Sequence, residues 1–344
     1  MSKNSTTNNK HSIYRRKKRT AAVVALCALI AVLLAVLGAA VWLVFLRPSS
    51  GGGGAGSSLP PSSVPSATTP ATHGTLPASF IDATAASRCI VLYDANSSTL
   101  LYSKNADERR DPASLTKLLT AALACKYAQA DTVFTVGSEI RLIDPESSKA
   151  FLAAGQQLNL EMILKALLLP SGNDAAYTIA VTVARLAAGN PQLSDRDALD
   201  KFNELMNAEL AAIGATGSHF NNPDGIHDAD HYTTANDLLK IVQHALTYPL
   251  IQETTALPSA TETFLSGQQS RTWVNTNALL QPDGDYYNPL ATGLKTGHTD
   301  EAGYCLAATA EQDGRRLIVI LLGAPSDSSR WVDANGLIQL GFES

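Results

Sequence analysis

The sequence predicts an α+β fold, because strand-like runs occur at both ends of its folded part and helical periodicity fills the middle. A sheet built from the two ends, with helices supplied between them, makes one unit over residues 79–344 rather than two domains. No internal repeat interrupts this order.

The first strand is Cys89-Ile90-Val91-Leu92-Tyr93, followed by the turn-forming Asp94-Ala95-Asn96-Ser97-Ser98 and a second strand, Leu100-Leu101-Tyr102. Helical spacing of apolar residues then marks Leu160 to Leu169, Asp174 to Ala188, Ala198 to Ile213 and Ala235 to Thr247. Leu290 to Thr296, Gly303 to Ala310 and Leu317 to Leu322 return to strand character, the last two joined at Asp313-Gly314. Ser329 to Leu340 closes the chain as a helix.

Ahead of this unit lie three segments of different chemistry. Residues 1–20 hold seven Lys or Arg and no acid, which leaves 19 basic against 31 acidic residues in the rest of the chain. That acidic remainder excludes nucleic acid as an expected partner. Residues 21–46 are 26 consecutive uncharged, mostly apolar positions, enough as a helix for roughly 39 Å against the ~30 Å of a bilayer core. Arg15-Arg16-Lys17-Lys18-Arg19 keeps the preceding tail in the cytoplasm, so the chain after Leu46 is expected outside. The run is too long for an ordinary signal peptide and continues through Val41-Trp42-Leu43, so an uncleaved single-pass anchor is expected. Residues 47–78 form a Gly/Ser/Pro-rich linker that cannot bury enough apolar surface to fold, with a coil reach of roughly 30 Å. Of the four cysteines, Cys27 falls in the apolar run, and Cys89, Cys125 and Cys305 have no paired spacing. They read as small buried residues rather than a disulfide framework.

The chemistry centres on Asp111-Pro112-Ala113-Ser114-Leu115-Thr116-Lys117. Asp111 is the expected N-cap and Pro112 the first helical residue, with Leu115, Leu118, Leu119, Ala122 and Leu123 as the buried stripe. Ser114 and Lys117, three residues apart, then share one helix face, a nucleophile beside a base. An ordinary lysine near pKa ~10.4 would be neutral in only about one molecule in 2,500 at pH 7, so Lys117 must be perturbed. Burial and a second cation both lower a lysine, and Lys295 is the expected cation. Two further elements follow in order: Ser171-Gly172-Asn173 after a hydrophobic helix end, and Lys295-Thr296-Gly297 on a strand. The first supplies a hydroxyl and an amide to a cleft. The second offers a cation and a hydroxyl for a carboxylate, and a glycine that admits substrate backbone. Ser-x-x-Lys, Ser-x-Asn and Lys-Thr-Gly at this order and spacing are found in serine penicillin-binding proteins and β-lactamases.

With those motifs, the chain from about Ser87 to Gly341 closely resembles the D-alanyl-D-alanine carboxypeptidases, the low-molecular-mass serine penicillin-binding proteins. Asn222-Pro223-Asp224-Gly225, His231-Tyr232-Thr233-Thr234 with Asp237, Asn275-Thr276-Asn277-Ala278-Leu279-Leu280 and the extension His298-Thr299-Asp300-Glu301-Ala302-Gly303-Tyr304 look like that family's own elaborations. The resemblance implies a DD-peptidase/β-lactamase-like fold, an antiparallel sheet with helices on both faces and a helical subdomain. It implies action on peptidoglycan stem peptides ending in D-Ala-D-Ala, acylation by β-lactams, and a part in wall synthesis and cell shape. Ser114 is then the acylated nucleophile, Lys117 the base, Ser171 and Asn173 the second wall, and Lys295, Thr296 and Gly297 the carboxylate site. The backbone N–H groups of Ser114 and His298 form the oxyanion hole. No metal or organic cofactor is implied. Many members continue into a β-rich domain with an amphipathic membrane helix, whereas this chain stops at Ser344; the N-terminal anchor is expected to take over that role.

Other residues were weighed against these. Glu204 and Glu209 could supply a water-activating carboxylate, but their spacing against Phe202, Leu205, Met206, Leu210 and Ile213 puts them on the polar face of a helix. His227-Asp228-Ala229-Asp230-His231 has metal-ligand residue types and reads as a loop. His298 contributes its backbone rather than its ring. The expectation is a membrane-anchored, extracytoplasmic serine D-Ala-D-Ala carboxypeptidase. Its rivals are a transpeptidase or endopeptidase, a β-lactamase, and a wall-binding protein without turnover.

Overall fold

The computed structural model describes residues 85–344 apart from 268. The basic tail, the apolar run of residues 21–46 and the linker lie outside the described residues. Among the described residues no helix is long and apolar enough to cross a membrane.

Strands β1 (Cys89–Asp94) and β2 (Thr99–Lys104) form the expected hairpin. β7 (Ala291–Thr299), β8 (Gly303–Gln312) and β9 (Arg315–Ala324) form an antiparallel meander. The two ends of the chain join where β1 pairs with β9, from Cys89 opposite Leu322 to Asp94 opposite Leu317, giving the strand order β2-β1-β9-β8-β7. Among the described residues β7 is therefore an outer strand with one edge unpaired by any strand.

Both faces of the sheet are buried, which explains why β1 and β9 read as unbroken apolar runs. With a side-chain period of two, Val91, Ile318, Ile320 and Leu322 enter the large core under the helices. Ile90, Leu92, Leu317, Val319 and Leu321 face the other way, onto Trp331, Ala334, Leu337 and Ile338. Those four belong to the terminal helix Asp327–Glu343, which opens with a capping box between Ser326 and Ser329.

The middle of the chain supplies the remaining helices: α1 (Lys117–Tyr127), α2 (Leu160–Leu168), α3 (Asn173–Ala188), α4 (Asp195–Ala212), α5 (Ala235–Ala245) and α6 (Pro249–Thr255). Every residue of α1 from Lys117 to Ala124 is buried, so it is a central helix, covered all round and not only along the expected stripe. Short pairs β3 (Phe134–Thr135) with β4 (Gln157–Leu158), and β5 (Ser259–Thr263) with β6 (Ser270–Val274), complete the set. The β5–β6 hairpin is not visible in the sequence because its residues are mostly polar and exposed. Trp273 anchors it by donating Nε1–H to Ala150 O at 2.9 Å, and Glu262 pairs with Lys165 of α2 at 2.5 Å. Cys89, Cys125 and Cys305 are free thiols, the first and last fully buried.

The segment before α1 departs from expectation. Ala113–Thr116 is a 3₁₀ turn, and α1 begins at Lys117. Asp111 caps nothing; its carboxylate takes the ring of His227 at 2.6 Å. Ala113 has φ +48, a left-handed conformation that costs an L-residue roughly 1–2 kcal/mol. Surrounding contacts hold it there. Thr116 donates its hydroxyl to Ala113 O at 2.9 Å, and the buried His231 ring meets Thr116 Oγ1 at 2.9 Å. Asn221 N–H donates to His231 Nδ1 at 3.1 Å, which leaves Nε2–H for Thr116. Burial pushes His231 down to about 3, so the ring is neutral.

Gly225 closes the same corner. At φ +85 it suits glycine, and a Cβ there would sit 1.9 Å from Ala113 O and 2.8 Å from Thr116 Oγ1. Gly225→Ala should therefore lose at least ~2 kcal/mol of stability and slow modification of Ser114 by at least about tenfold. Thermal unfolding and reaction with a labelled serine-directed acylating agent measure the two effects; an unchanged rate in the folded variant would show that this corner does not set the turn.

Candidate active site

Ser114 and Lys117 meet because a 3₁₀ turn eclipses residues i and i+3. The Lys117 ammonium lies 2.8 Å from Ser114 Oγ and donates to Asp224 O at 2.6 Å. Lys117 is fully buried, whereas Ser114 is half-buried and opens into a cavity of about 390 Å³. Burial pushes Lys117 down to about 8, against an upward pull from Asp224 and Asp174. At that value about one molecule in ten holds a neutral lysine at pH 7, a gain of more than a hundredfold over an ordinary side chain. Desolvation, one of the two causes expected from the sequence, is thus the first cause of the lowered Lys117. The like-charge effect falls on Lys295, lowered well below its ordinary range by burial first, then by Lys117 and Arg330.

Asn173, at the start of α3, lines the same cavity, and Ser171 lies two residues before it. Ser171 takes φ +62, and Gly172 has no room for a side chain, since a Cβ would lie 2.6 Å from Ala166 O. Asn173 N–H donates to Ser148 O at 2.9 Å, fixing the helix start against the loop that precedes β4. Both side chains are more than nine-tenths buried, and neither Ser171 Oγ nor Asn173 Oδ1 has a hydrogen-bond partner. Buried polar atoms left open in this way are suited to a ligand that supplies the missing partners.

The third wall is β7. A Cβ on Gly297 would stand 3.1 Å from both Pro112 O and Ser114 N, so this glycine lets the strand touch the nucleophile turn. Lys295 and Thr296 are nearly fully buried; Lys295 donates to Thr296 O at 2.9 Å, and Thr296 Oγ1 shares a 2.6 Å hydrogen bond with Thr276 Oγ1. Arg330 supports the strand from behind, donating from Nη1 to Gly297 O at 3.2 Å and Cys305 O at 3.3 Å. The exposed His298 lines the cavity, its ring 4.2 Å from that of Tyr304.

Of the eight residues singled out from the sequence, Ser114, Asn173 and His298 line this cavity, while Lys117, Ser171, Lys295, Thr296 and Gly297 are buried in the same three elements and do not line it. Asp224, Thr276 and the Thr116–His231 clamp lie in stretches that the sequence marks without assigning them tasks. Arg330 gave no signal, since a lone arginine in a terminal helix has no local pattern. Glu209 corrects the surface reading: its side chain is 8% exposed and paired with Lys126 at 2.5 Å and His244 at 3.0 Å. Glu204 is exposed and pairs with Lys201. Neither lines the cavity at Ser114. Among the described residues no three His, Cys, Asp or Glu side chains converge as a metal site; His227 and His231 are engaged with Asp111 and Thr116.

Comparison with known proteins agrees with this geometry. The D-alanyl-D-alanine carboxypeptidase family profile matches residues 76–326. The D-alanyl-D-alanine carboxypeptidase DacA of Escherichia coli K12 is 34% identical over 263 residues, which cover 73% of this chain and 60% of that protein. The chain thus spans about 60% of the length of this curated relative. The crystal structure of the Streptomyces K15 DD-transpeptidase superposes with a TM-score of 0.69 at 29% identity, over 76% of this chain and 98% of that one. Penicillin-binding protein D2 of Listeria monocytogenes, solved in its cefotaxime-bound form, gives a TM-score of 0.62 at 28% identity, over 75% and 98%. The match to the family profile runs through all three walls of the cleft, and the chain belongs to the D-alanyl-D-alanine carboxypeptidase family.

Proposed function

We propose that this chain is a serine-type D-Ala-D-Ala carboxypeptidase, held at the cell membrane by residues 21–46 with its catalytic unit outside. The observation that carries the activity is a buried lysine of lowered basicity 2.8 Å from a half-exposed serine hydroxyl. Neutral Lys117 takes the proton as Ser114 Oγ attacks the penultimate D-alanine carbonyl. The carbonyl oxygen is received by the backbone N–H groups of Ser114 and His298. Lys295 and Thr296 hold the terminal carboxylate, whose charge favours the protonated form of Lys295. Asn173 holds substrate amide groups with its open Oδ1, and Ser171 relays a proton to the departing D-alanine. Water then resolves the acyl-enzyme. A β-lactam meets the same serine and stops there, a reading supported by the cefotaxime-bound relative.

A second reading is transpeptidation, favoured by the likeness to a structure titled a DD-transpeptidase. An amine in place of water would then resolve the same ester. For a β-lactamase reading, the two glutamates that the sequence offers, Glu204 and Glu209, do not line the cavity at Ser114. Incubation with a defined pentapeptide, with and without an acceptor amine, separates the first two readings. Release of D-alanine with a tetrapeptide product supports hydrolysis; failure of Ser114 to be acylated by a labelled penicillin would sink both and leave a wall-binding role.

The two lysines should separate by task. Lys117→Arg keeps a cation that cannot act as a base, so penicillin acylation and D-Ala-D-Ala hydrolysis should each fall by at least ~10²–10⁴. Lys295→Arg can still pair with a carboxylate, and its loss should be milder and felt first with peptide. Both rates are measured on variants shown to be folded; near-normal acylation by Lys117→Arg would remove Lys117 as the base.

Because the reactive form of Lys117 is the neutral one, its fraction grows as pH rises. The second-order acylation rate should climb about tenfold per pH unit and level off near the value of about 8 set by burial. A rate independent of pH between 5.5 and 8 would contradict the assignment.

The anchor is tested by fractionation. Full-length protein should stay with membranes through a high-salt wash and be released only by detergent; recovery of a soluble mature chain beginning near Val41 would show cleavage instead.

A further inference from the structure

A second cavity, of about 560 Å³, lies between the β5–β6 hairpin and the chain around Phe151, outside the catalytic motifs. Lys149 and Arg271 line it, and no Asp or Glu does. Neither cation forms an ion pair among the described residues. Glu262 stands opposite Arg271 on β5, but Lys165 takes its carboxylate at 2.5 Å. Arg271 Nε is buried without a hydrogen-bond partner, and Lys149 turns its ammonium onto Pro145 O. Beside them stands Phe151, 66% exposed and left-handed at φ +59, its ring centroid 5.8 Å from the Arg271 guanidinium. Its backbone is fixed there. The flanking Ala150 and Leu152 N–H groups each donate to the buried Asp174 carboxylate at 2.8 Å, and Ala150 O accepts from the Trp273 indole. An apolar ring held in water by a strained backbone gives the fold nothing, which is the pattern of a contact kept for a ligand.

Two links put this groove on the leaving-group side of Ser114. Thr276, which lines it, shares the 2.6 Å hydrogen bond with Thr296 of the Lys-Thr-Gly strand. Lys149 directly follows Ser148, which lines the Ser114 cavity. A peptide with its penultimate carbonyl at Ser114 and its terminal carboxylate at Lys295 and Thr296 sends its acyl part past His298. Whatever continues beyond the scissile bond therefore lies toward Thr276, and once D-alanine has left, a nucleophile approaches the Ser114 ester from that side. We propose that the groove of Lys149, Phe151 and Arg271 binds an acceptor peptide that carries a free amine and at least one free carboxylate, an assignment that rests on the acyl-enzyme reading above. The amine nitrogen attacks the ester carbonyl carbon. A C–N bond forms as the C–O bond to Ser114 breaks, and the amine proton passes through Lys117 to Ser114 Oγ. The acceptor's carboxylate pairs with Arg271 and Lys149, giving the buried Nε its missing acceptor, while its backbone lies against Phe151 and the exposed Val274.

The test gives the full-length protein one donor, Nα,Nε-diacetyl-L-lysyl-D-alanyl-D-alanine, at about pH 8, where a peptide α-amine is about half neutral. Two acceptors are compared: glycyl-glycyl-L-glutamate, and glycyl-glycyl-L-glutamine amide, in which both carboxylates are amides. Each is an extended chain of roughly 10 Å. Both compete with water for the same acyl-enzyme, so the ratio of amide product to hydrolysed product isolates the acceptor step. The carboxylate acceptor should give a ratio at least about fivefold higher at low salt, and that advantage should shrink toward one at roughly 0.5 M salt. In Lys149→Gln/Arg271→Gln the advantage should fall to about twofold or less; if that variant fails to fold, Arg271→Gln, on the mostly exposed β5–β6 hairpin, carries the same comparison. Equal ratios in the wild type, amide product from neither acceptor, or an advantage that survives in both variants would each overturn the inference. Labelled penicillin, which needs no acceptor, is run in parallel. A wild type that is acylated and yet shows no carboxylate preference refutes the groove alone, whereas one that is not acylated refutes the reading of Ser114 on which the groove depends.

Discussion

Burying the Lys117 amine is the constraint on which the rest of this structure depends. An ammonium in water is nearly always protonated, and only removal from water brings its proton within reach of a neutral-pH reaction. The fold achieves this by covering α1 on every side from Lys117 to Ala124. The helices and the sheet face around it are therefore part of the chemistry, since any gap that admitted water would return Lys117 to its ordinary basicity. Ser114 must meanwhile stay open to substrate only 2.8 Å away. The 3₁₀ turn meets both demands, keeping the lysine inside and the hydroxyl at the cleft.

That turn is not a relaxed conformation. Ala113 is left-handed, as is Ser171, and the Ala113 turn is held by contacts from distant parts of the chain. Thr116, His231 and Asn221 form a chain of hydrogen bonds onto Ala113 O, while Gly225 fills the one space that a side chain would block. Gly297 performs a similar service from the sheet, bringing β7 against the turn. Local strain of ~1–3 kcal/mol per residue persists only where surroundings over-determine it, and here the surroundings are three separate elements. The result is a preorganised placement of the Ser114 hydroxyl beside the Lys117 amine.

Where sequence reasoning succeeded, it relied on periodicity or on short motifs. The sandwiched strands β1 and β9 announced themselves as continuous apolar runs, and the helices by their spacing. It failed where a residue's environment comes from elsewhere. Glu209 sits at a polar position of α4 by spacing, yet Lys126 and His244 arrive to bury and pair it. Asp111 has the residue type and place of an N-cap, but His227 claims its carboxylate. The β5–β6 hairpin carries too few apolar residues to give a period-two signal, and its buried Trp273 is fixed by Ala150 from another part of the chain.

The sequence by itself determined the α+β order of elements, the nucleophile and its neighbouring lysine, and the two companion motifs, because each is written in residue types a few positions apart. Only the tertiary structure decided that Lys117 is buried completely enough for desolvation to lower it, that Asp224 supplies a backbone acceptor to it, and that Arg330 supports the Lys-Thr-Gly strand. Only it gathered Lys149 and Phe151 with Arg271 around one cavity. Solvent exclusion and electrostatic potential are sums over everything that packs nearby, and contributions from residues more than a hundred positions apart leave no trace in local spacing.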